Sequence, residues 1–187
     1  MSMRKIIFAY VMEILLFVSA FGIYKHINEY KILKSRVQVL QMYYEKSQSR
    51  QRTIREISSN IEKFNSNLTN PELLSYSVAV YYISKQLNLD YRIIVSLGGV
   101  ESRWNPTAKS SYGAIGVMQV AHHVWRKYFG FRKIELYNPI RNIYFGSMIF
   151  KYYLDESNGN IRNALKKYSG GTQREIYYEI VLSSCEN

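Results

Sequence analysis

The feature that most restricts the fold of this chain is a long apolar segment close to its N-terminus. Residues 6–24 contain a single charged side chain, Glu13, and Arg4 and Lys5 come directly before them. An α-helix that crosses a bilayer needs about 20 mostly apolar residues, and a basic start is typical of a membrane-targeting sequence. We therefore expect residues 1–24 to form a transmembrane signal-anchor or a signal peptide.

The small residues at positions 18–20, Val-Ser-Ala, would suit cleavage of a signal peptide. The apolar segment nevertheless continues beyond them to Tyr24. This continuation favours a retained anchor over a cleaved peptide, and both interpretations direct the chain to a membrane.

Residues 25–70 predict a helical stalk followed by a linker. Val37, Leu40 and Tyr44 have heptad spacing. A second apolar stripe follows the polar residues 47–51 and consists of Ile54, Ile57, Ile61 and Phe64. We expect a stalk that self-associates weakly through residues 27–64, and the alternative is a single helix lying against the next domain. Residues 65–70, rich in Asn, Ser and Thr, form the linker.

Residues 71–187 carry the signals of a compact helical domain. Asn70-Pro71 and Asn138-Pro139 each place a capping residue before a proline at the first helical position. Asp90 and Asn160 are further capping residues, and Asn88 can end the first helix in a left-handed conformation. Gly113 and Gly116 bracket a tight turn, and Val117, Val120 and Val124 have the spacing of another helix. The predicted helices span about residues 70–87, 90–104, 117–124, 139–156, 160–169 and 173–182. Gly170-Gly171 ends the fifth of them. No segment alternates like a strand, so the predicted fold class is all-α.

Glu101 lies at the border of the apolar face formed by Ile94 and Leu97. Desolvation disfavours a charged carboxylate and raises its pKa. A glycosidase acid must hold a proton near neutral pH. Spacing alone, however, is more typical of a solvated carboxylate at a helix end.

The sequence that follows changes this interpretation. The run ESRWNPTAKSSYGAIGVMQ, residues 101–119, resembles the soluble-type lytic transglycosylases, which share the goose-type lysozyme fold. Their pattern is Glu-Ser, two residues, Asn-Pro, one, Ala, one, Ser, two, Gly-Ala, one, Gly-Leu-Met-Gln. Only Val117 departs from it, in place of Leu. Residues 137–146 and 164–171 resemble later family segments, although Ser169 replaces the usual Asn, and the resemblance covers about residues 72–182.

The resemblance implies a role for five side chains. Glu101 would be the general acid and then the base, and Tyr168 would hydrogen-bond near it. Ser110 and Gln119 would contact N-acetyl or hydroxyl groups of the sugar, and Met118 would line the sugar subsite. Structural roles remain open for the last four, as core residues, a turn cap or a surface residue.

The implied activity is cleavage of the β-1,4 bond between N-acetylmuramic acid and N-acetylglucosamine in peptidoglycan, with formation of 1,6-anhydromuramic acid. A hydrolytic glycosidase usually needs a second carboxylate. Glu135, Asp155 and Glu156 lie in loop-like or helix-end positions and fit that role poorly. A lysozyme-type hydrolase on the same lysozyme-like fold, or a non-catalytic membrane-anchored wall-binding protein, are the alternatives.

The net charge of +11 at pH 7 favours a polyanionic partner. No nucleic-acid-binding motif accompanies it, so we expect peptidoglycan glycan strands and a membrane as partners and no nucleic acid. His122 and His123 are adjacent and lack further ligands, so neither a metal nor another cofactor is expected. The single cysteine, Cys185, excludes an intrachain disulfide.

Two signals in the sequence give opposite predictions for the side of the membrane on which residues 71–187 lie. Lys25, Lys31, Lys34 and Arg36 outnumber the basic residues before the apolar segment, which favours a cytoplasmic domain. A wall substrate requires the opposite side. Because the motif is the more specific signal, we expect a membrane-anchored protein with its catalytic domain on the periplasmic or external side, in a host membrane or a phage virion.

Overall fold

The structure, a computed structural model, describes residues 2–170 and 174–186. Its internal contacts divide the chain into two compact units, Met1–Arg50 and Gln51–Asn187. Within the described residues, regular structure is helical apart from one two-stranded hairpin. The all-α prediction is therefore confirmed.

The first unit consists of one helix. Helix α1 spans Met3–Phe64 and continues without a break through the polar residues 47–51. Every described side chain from position 2 to 46 is exposed. An 18-residue window in the apolar part has a mean hydropathy of 2.3, so the helix is long and apolar enough to cross a membrane by length and composition.

Residues 51–64 of α1 belong to the second unit. Ile57 and Ile61 are fully buried in its core, and the Ser58 hydroxyl donates to Ser77 Oγ over 2.8 Å. For these residues the structure has a helix lying against the domain, which is the alternative to a self-associating stalk.

The second unit contains six further α-helices in its described part. They are α2 (Asn70–Leu87), α3 (Tyr91–Ser102), α4 (His122–Phe129), α5 (Pro139–Glu156), α6 (Ile161–Tyr168) and α7 (Arg174–Glu186). A 3-10 helix spans Lys133–Tyr137, and strands β1 (Ala114–Ile115) and β2 (Val120–Ala121) pair antiparallel. Helix α5 packs against α2 and α6, and α7 packs against α3 and α6.

Most of the predicted caps are present. The side chains of Asp90, Asn138 and Asn160 accept backbone N–H groups at the starts of α3, α5 and α6, and Asn88 ends α2 in the left-handed conformation at φ 51°. The cap of α2 is one residue earlier than predicted. Thr69, rather than Asn70, forms a reciprocal capping box with the third helical residue.

The helix predicted around Val117, Val120 and Val124 is wrong in its first half. Gly113 and Gly116 have φ of 81° and 76°, as their predicted turn requires, and residues 114–121 form the hairpin. Helix α4 begins only at His122. The last helix also continues to Glu186, beyond the predicted end at 182. Gly171, Gln173 and the Cys185 side chain lie outside the described residues.

Candidate active site

Glu101 lies in the last turn of α3, directly before a sharp change in chain direction. Arg103 and Trp104 both adopt the left-handed conformation, with φ of 53° and 56°. Their N–H groups donate to the carbonyls of Gly99 and Gly98, at 2.9 and 3.0 Å, which ends the helix. Two consecutive non-glycine residues in this region are strained, so other contacts must hold the turn beside Glu101.

The indole of Trp104 supplies one such contact. It is fully buried and donates from Nε1 to the Val95 carbonyl at 3.0 Å. It packs directly on the backbone of α3, because a Cβ placed on Gly98 would lie 2.8 Å from the ring. A Cβ on Gly99 would similarly lie 2.4 Å from the ring of Phe64. The two glycines before Glu101 therefore allow aromatic rings to fix the end of α3.

The β1–β2 hairpin faces this turn and is held by the buried Asn142. The Asn142 amide donates to the carbonyls of Ile115 and Leu136, at 2.8 and 3.1 Å, and accepts the N–H of Met118 at 2.8 Å. The contact is so close that a Cβ on Gly116 would lie 2.5 Å from Asn142 Nδ2. This residue therefore satisfies hairpin backbone groups that the two-residue strands leave unpaired.

Two motif residues, Gly146 and Met118, meet at a second tight contact below the hairpin. A Cβ on Gly146 would lie 2.2 Å from Met118 Cβ, so only glycine lets α5 approach the hairpin this closely. The Met118 side chain is fully buried. The structure therefore places it in the core, and it is not among the residues that line the neighbouring cleft.

That cleft, of about 360 Å³, lies between α3, the hairpin, α4, α5 and α6, and its size is typical of a small-ligand site. Four of the five side chains assigned from the sequence line it: Glu101, Ser110, Gln119 and Tyr168. Other lining residues are largely apolar or aromatic and include Tyr112, Val124, Trp125 and Tyr153. Among the described residues, the cleft therefore has one carboxyl group, the ammonium group of Lys167, largely apolar walls and a few neutral polar groups.

The two polar motif residues at the hairpin have defined conformations. The Ser110 hydroxyl accepts the N–H of Ala114 at 3.1 Å across the turn. Gln119 has a φ of 45°, and its side-chain amide donates to the Gly116 carbonyl at 2.9 Å. Both side chains combine a local structural contact with a position in the cleft wall.

Burial dominates the electrostatics of Glu101. Desolvation raises the pKa of its carboxyl from 4.5 to about 7, although a hydrogen bond from Tyr177 acts in the opposite direction. The Tyr177 hydroxyl lies 2.5 Å from Glu101 Oε1. A carboxyl with such a pKa can both give and take a proton near neutral pH.

Tyr177, the hydrogen-bond partner of Glu101, is a residue of the candidate site that the sequence did not predict. It lies on α7, 76 positions after its partner. Helix α7 is anchored by the fully buried Val181 and by the Arg162–Glu179 ion pair at 3.0 Å. No local pattern distinguishes Tyr177 from its neighbour Tyr178, so only the packing of α7 on α3 reveals it.

Tyr168 lies near Glu101 and makes its hydrogen bond with the hairpin backbone. Its hydroxyl donates to the Met118 carbonyl at 2.9 Å, while its ring lines the cleft. Burial and the nearby Glu101 carboxylate raise the pKa of the Tyr168 phenol, which therefore remains a neutral donor. The residue thus ties α6 to the hairpin beside the cleft.

Glu101 is the one carboxyl group among the described residues that line the cleft. Glu135 instead caps the 3-10 helix by accepting the Arg132 N–H at 2.7 Å and pairs with Arg141. These contacts lower its pKa. The described part of the chain also holds no group of three potential metal-ligating side chains.

Comparison with known proteins places these features in context. Residues 79–179 match the family model described as the Transglycosylase SLT domain. A protein of Enterobacteria phage PRD1 named "Transglycosylase" is 36% identical over 91 residues, which cover 49% of this chain and 33% of the relative.

A second relative is the "Membrane-bound lytic murein transglycosylase C" of Glaesserella parasuis serovar 5 (strain SH0165). It is 37% identical over 89 residues, which cover 43% of this chain and 24% of the relative. The matches thus span a third or less of the length of these relatives.

Proposed function

Because the chain belongs to the Transglycosylase SLT domain family, we propose that it is a peptidoglycan lytic transglycosylase with Glu101 as its single general acid and base. It cleaves the β-1,4 bond between N-acetylmuramic acid and N-acetylglucosamine and forms 1,6-anhydromuramic acid. The observation that carries this proposal is one buried carboxyl, with a pKa of about 7, in a cleft whose described lining holds no other carboxyl.

In the first step, the protonated Glu101 donates its proton to the glycosidic oxygen. The bond between that oxygen and the anomeric carbon of N-acetylmuramic acid breaks, and N-acetylglucosamine leaves with a free 4-hydroxyl. The apolar walls of the cleft favour the neutral acid in the ground state. The Tyr177 hydroxyl, 2.5 Å from Glu101 Oε1, stabilises the carboxylate that forms.

In the second step, the Glu101 carboxylate accepts the proton of the muramic 6-hydroxyl while that oxygen bonds to the anomeric carbon. The anhydro ring closes, the acid is regenerated and no water is consumed. Because the nucleophile is tethered to the reacting sugar, much of its entropy is already lost before the reaction. A second carboxylate that activates water is therefore not required.

The other lining groups bind and orient the sugar. Ser110, in the turn before β1, and Gln119, in the hairpin, line the cleft and offer hydrogen bonds to N-acetyl or hydroxyl groups. Tyr112 lies at the tip of the same turn with 88% of its surface exposed and can stack on a sugar ring. Met118 lies in the core and supports the cleft wall indirectly. Its side chain packs on Gly146, and its backbone carbonyl accepts a hydrogen bond from the Tyr168 hydroxyl.

The apolar part of α1 anchors the protein in a membrane, with the catalytic domain on the periplasmic or external side. This location follows from the substrate, because peptidoglycan lies outside the cytoplasmic membrane. The same arrangement would serve a bacterial membrane enzyme or a phage protein in a virion or host membrane. Protease added to intact spheroplasts should degrade the domain, and its protection would reverse the proposed orientation.

Digestion of purified peptidoglycan in water labelled with the heavy oxygen isotope tests the reaction itself. We expect full-length protein in detergent to release products that end in 1,6-anhydromuramic acid, lighter by one water and free of label. Products that end in reducing, labelled muramic acid would identify a hydrolase. A folded protein that releases no glycan would identify a non-catalytic wall-binding protein.

Two variants that each replace a carboxylate by an amide form a matched pair of test and control. Glu101→Gln keeps the shape of the side chain but has no proton to donate, so glycan release should be lost. Asp155→Asn changes an exposed carboxylate on α5 that pairs with Lys151, and neither residue is among those that line the cleft, so activity should remain. Wild-type release by folded Glu101→Gln would remove Glu101 from the mechanism.

A further inference from the structure

The first unit exposes an apolar stripe along α1 that no part of that unit covers. The stripe consists of Tyr30, Leu33, Val37, Leu40 and Tyr44, whose exposed fractions range from 43% to 67%. Successive members are three and four residues apart, so they lie on one side of the helix. This spacing is that of the a and d positions of a coiled coil.

The remaining positions of the segment have a different composition. Among the other residues between 27 and 46, ten are polar or charged and five are apolar, whereas all five stripe positions are apolar. The neighbouring row at the same spacing, Ile32, Arg36, Val39 and Tyr43, contains an arginine. Between residues 30 and 44, the stripe is therefore the one row with this spacing in which every position is apolar.

The residue types within the seam favour two strands in parallel. Tyr30, Val37 and Tyr44 occupy the a positions, so the central a residue is β-branched, and Leu33 and Leu40 occupy both d positions. A β-branched residue at a with leucine at d is the combination that favours parallel dimers over larger bundles. An all-leucine seam would not make this distinction.

The flanking charges complement a second copy in the same orientation. In a parallel pair, the residue before an a position faces the residue five positions later on the other helix. Glu29 of one chain therefore faces Lys34 of the other, and Arg36 faces Gln41. The first pair is attractive on both sides of the dimer, and the second brings no like charges together.

We propose that residues 29–44 form a parallel two-stranded coiled coil with a second copy of this chain. About two heptads would be marginal for free helices in water. Two chains anchored through the apolar part of the same helix share a membrane plane and a direction, which raises their effective concentration. The inference rests on the proposed membrane anchor but not on the proposed catalysis, since it uses no residue of the cleft.

Disulfide scanning of the full-length protein in membranes tests the seam without any activity measurement. In a Cys185→Ser background, Leu40→Cys and Val37→Cys should form covalent dimers on mild oxidation. The adjacent Val39→Cys and Gln38→Cys are matched controls on the same two helical turns and should crosslink several-fold less. Equal crosslinking at all four positions, a maximum at the controls, or no dimer at any position would each overturn the proposal.

A charge exchange then tests the parallel register. Lys34→Glu places Glu29 opposite a second acidic side chain and should reduce crosslinking of Leu40→Cys. Adding Glu29→Lys restores opposite charges and should return crosslinking to its original level. Failure of the double exchange to restore it would exclude the proposed alignment.

Discussion

Replacing Glu101 with glutamine should inactivate the protein and also stabilise it, in a way that depends on pH. The carboxyl is held in a largely desolvated position where its neutral form is favoured. Glutamine has nearly the same shape, remains neutral at every pH and keeps an oxygen that can accept the Tyr177 hydroxyl. The substitution therefore removes mainly the cost of ionising a buried group.

The magnitude follows from the pKa. Below about pH 4.5 the carboxyl is protonated in both the folded and the unfolded chain, so it contributes no pH dependence. Between pH 4.5 and 7 the unfolded chain releases a proton that the folded chain keeps, so the free energy of unfolding falls as pH rises. A pKa raised from 4.5 to about 7 corresponds to a loss of about 3 kcal/mol that is complete above pH 7.

Tryptophan fluorescence provides a suitable assay of unfolding. The chain has two tryptophans, Trp104 and Trp125, and both are buried in the second unit with at most 8% of their surface exposed. Urea titrations of the full-length protein in detergent at about pH 4 and pH 8 would therefore report unfolding of the domain. We expect Glu101→Gln to gain about 3 kcal/mol relative to wild type between these two values.

Glu72→Gln is the control with the opposite sign. Hydrogen bonds from Thr69 lower the pKa of Glu72, so its ionised form stabilises the fold above pH 4.5, and this contribution disappears as pH falls through the folded pKa. Wild type should thus be more stable than Glu72→Gln near neutrality, and the two should converge in acid. A Glu101→Gln difference that is constant with pH, or that has the sign of the Glu72 control, would refute the argument from burial.

Further predictions concern the groups around the acid. Wild-type kcat/KM should fall as pH rises through about 7, because the protonated acid is lost, and Tyr177→Phe should move this limb to higher pH by removing a hydrogen bond that lowers the pKa. Asn142→Ala should cost about 3 kcal/mol in urea titrations, because three backbone groups lose their partner. Gly146→Ala should cost about 2 kcal/mol by the same measurement, through its clash with Met118. Glu135→Gln should retain most glycan release, and its inactivation would indicate a second catalytic carboxyl.

The parts of the fold that could be predicted from the sequence are those fixed by local contacts. A capping side chain binds backbone groups two or three residues away, so Asp90, Asn138 and Asn160 identify the starts of their helices directly. Thr69 and Asn70 were both suitable caps. The choice between them depends on which side chain reaches the third helical residue, Glu72.

The hairpin could not be predicted in this way. Val117, Val120 and Val124 have helical spacing, but their segment is held in another conformation by a distant residue. The amide of Asn142 satisfies backbone groups at Ile115 and Met118 that a helix would have paired internally. The helix-like pattern therefore indicated the burial of Val117 and Val120 correctly, whereas Val124 is 41% exposed and the backbone before His122 is not helical.

The candidate site shows the same division between short and long range. Glu101, Ser110 and Gln119 lie within one motif, so their common position in the cleft follows from a short stretch of sequence. Met118 belongs to the same motif but faces the core. Tyr177 contacts Glu101 only because α7 packs on α3, and nothing in its local sequence specifies that contact.

The surroundings of Glu101 combine two unfavourable features with several compensating ones. A desolvated carboxyl and two left-handed residues, Arg103 and Trp104, lie within four positions of each other. The buried Trp104 ring and the Ser102 hydroxyl, which donates to the Val117 carbonyl at 2.8 Å, hold that turn against α3 and the hairpin. Because these anchors lie on the core side, no described residue places a charge beside the carboxyl that would lower its pKa. The fold can therefore keep a proton available in the cleft near neutral pH, which a single-acid mechanism requires.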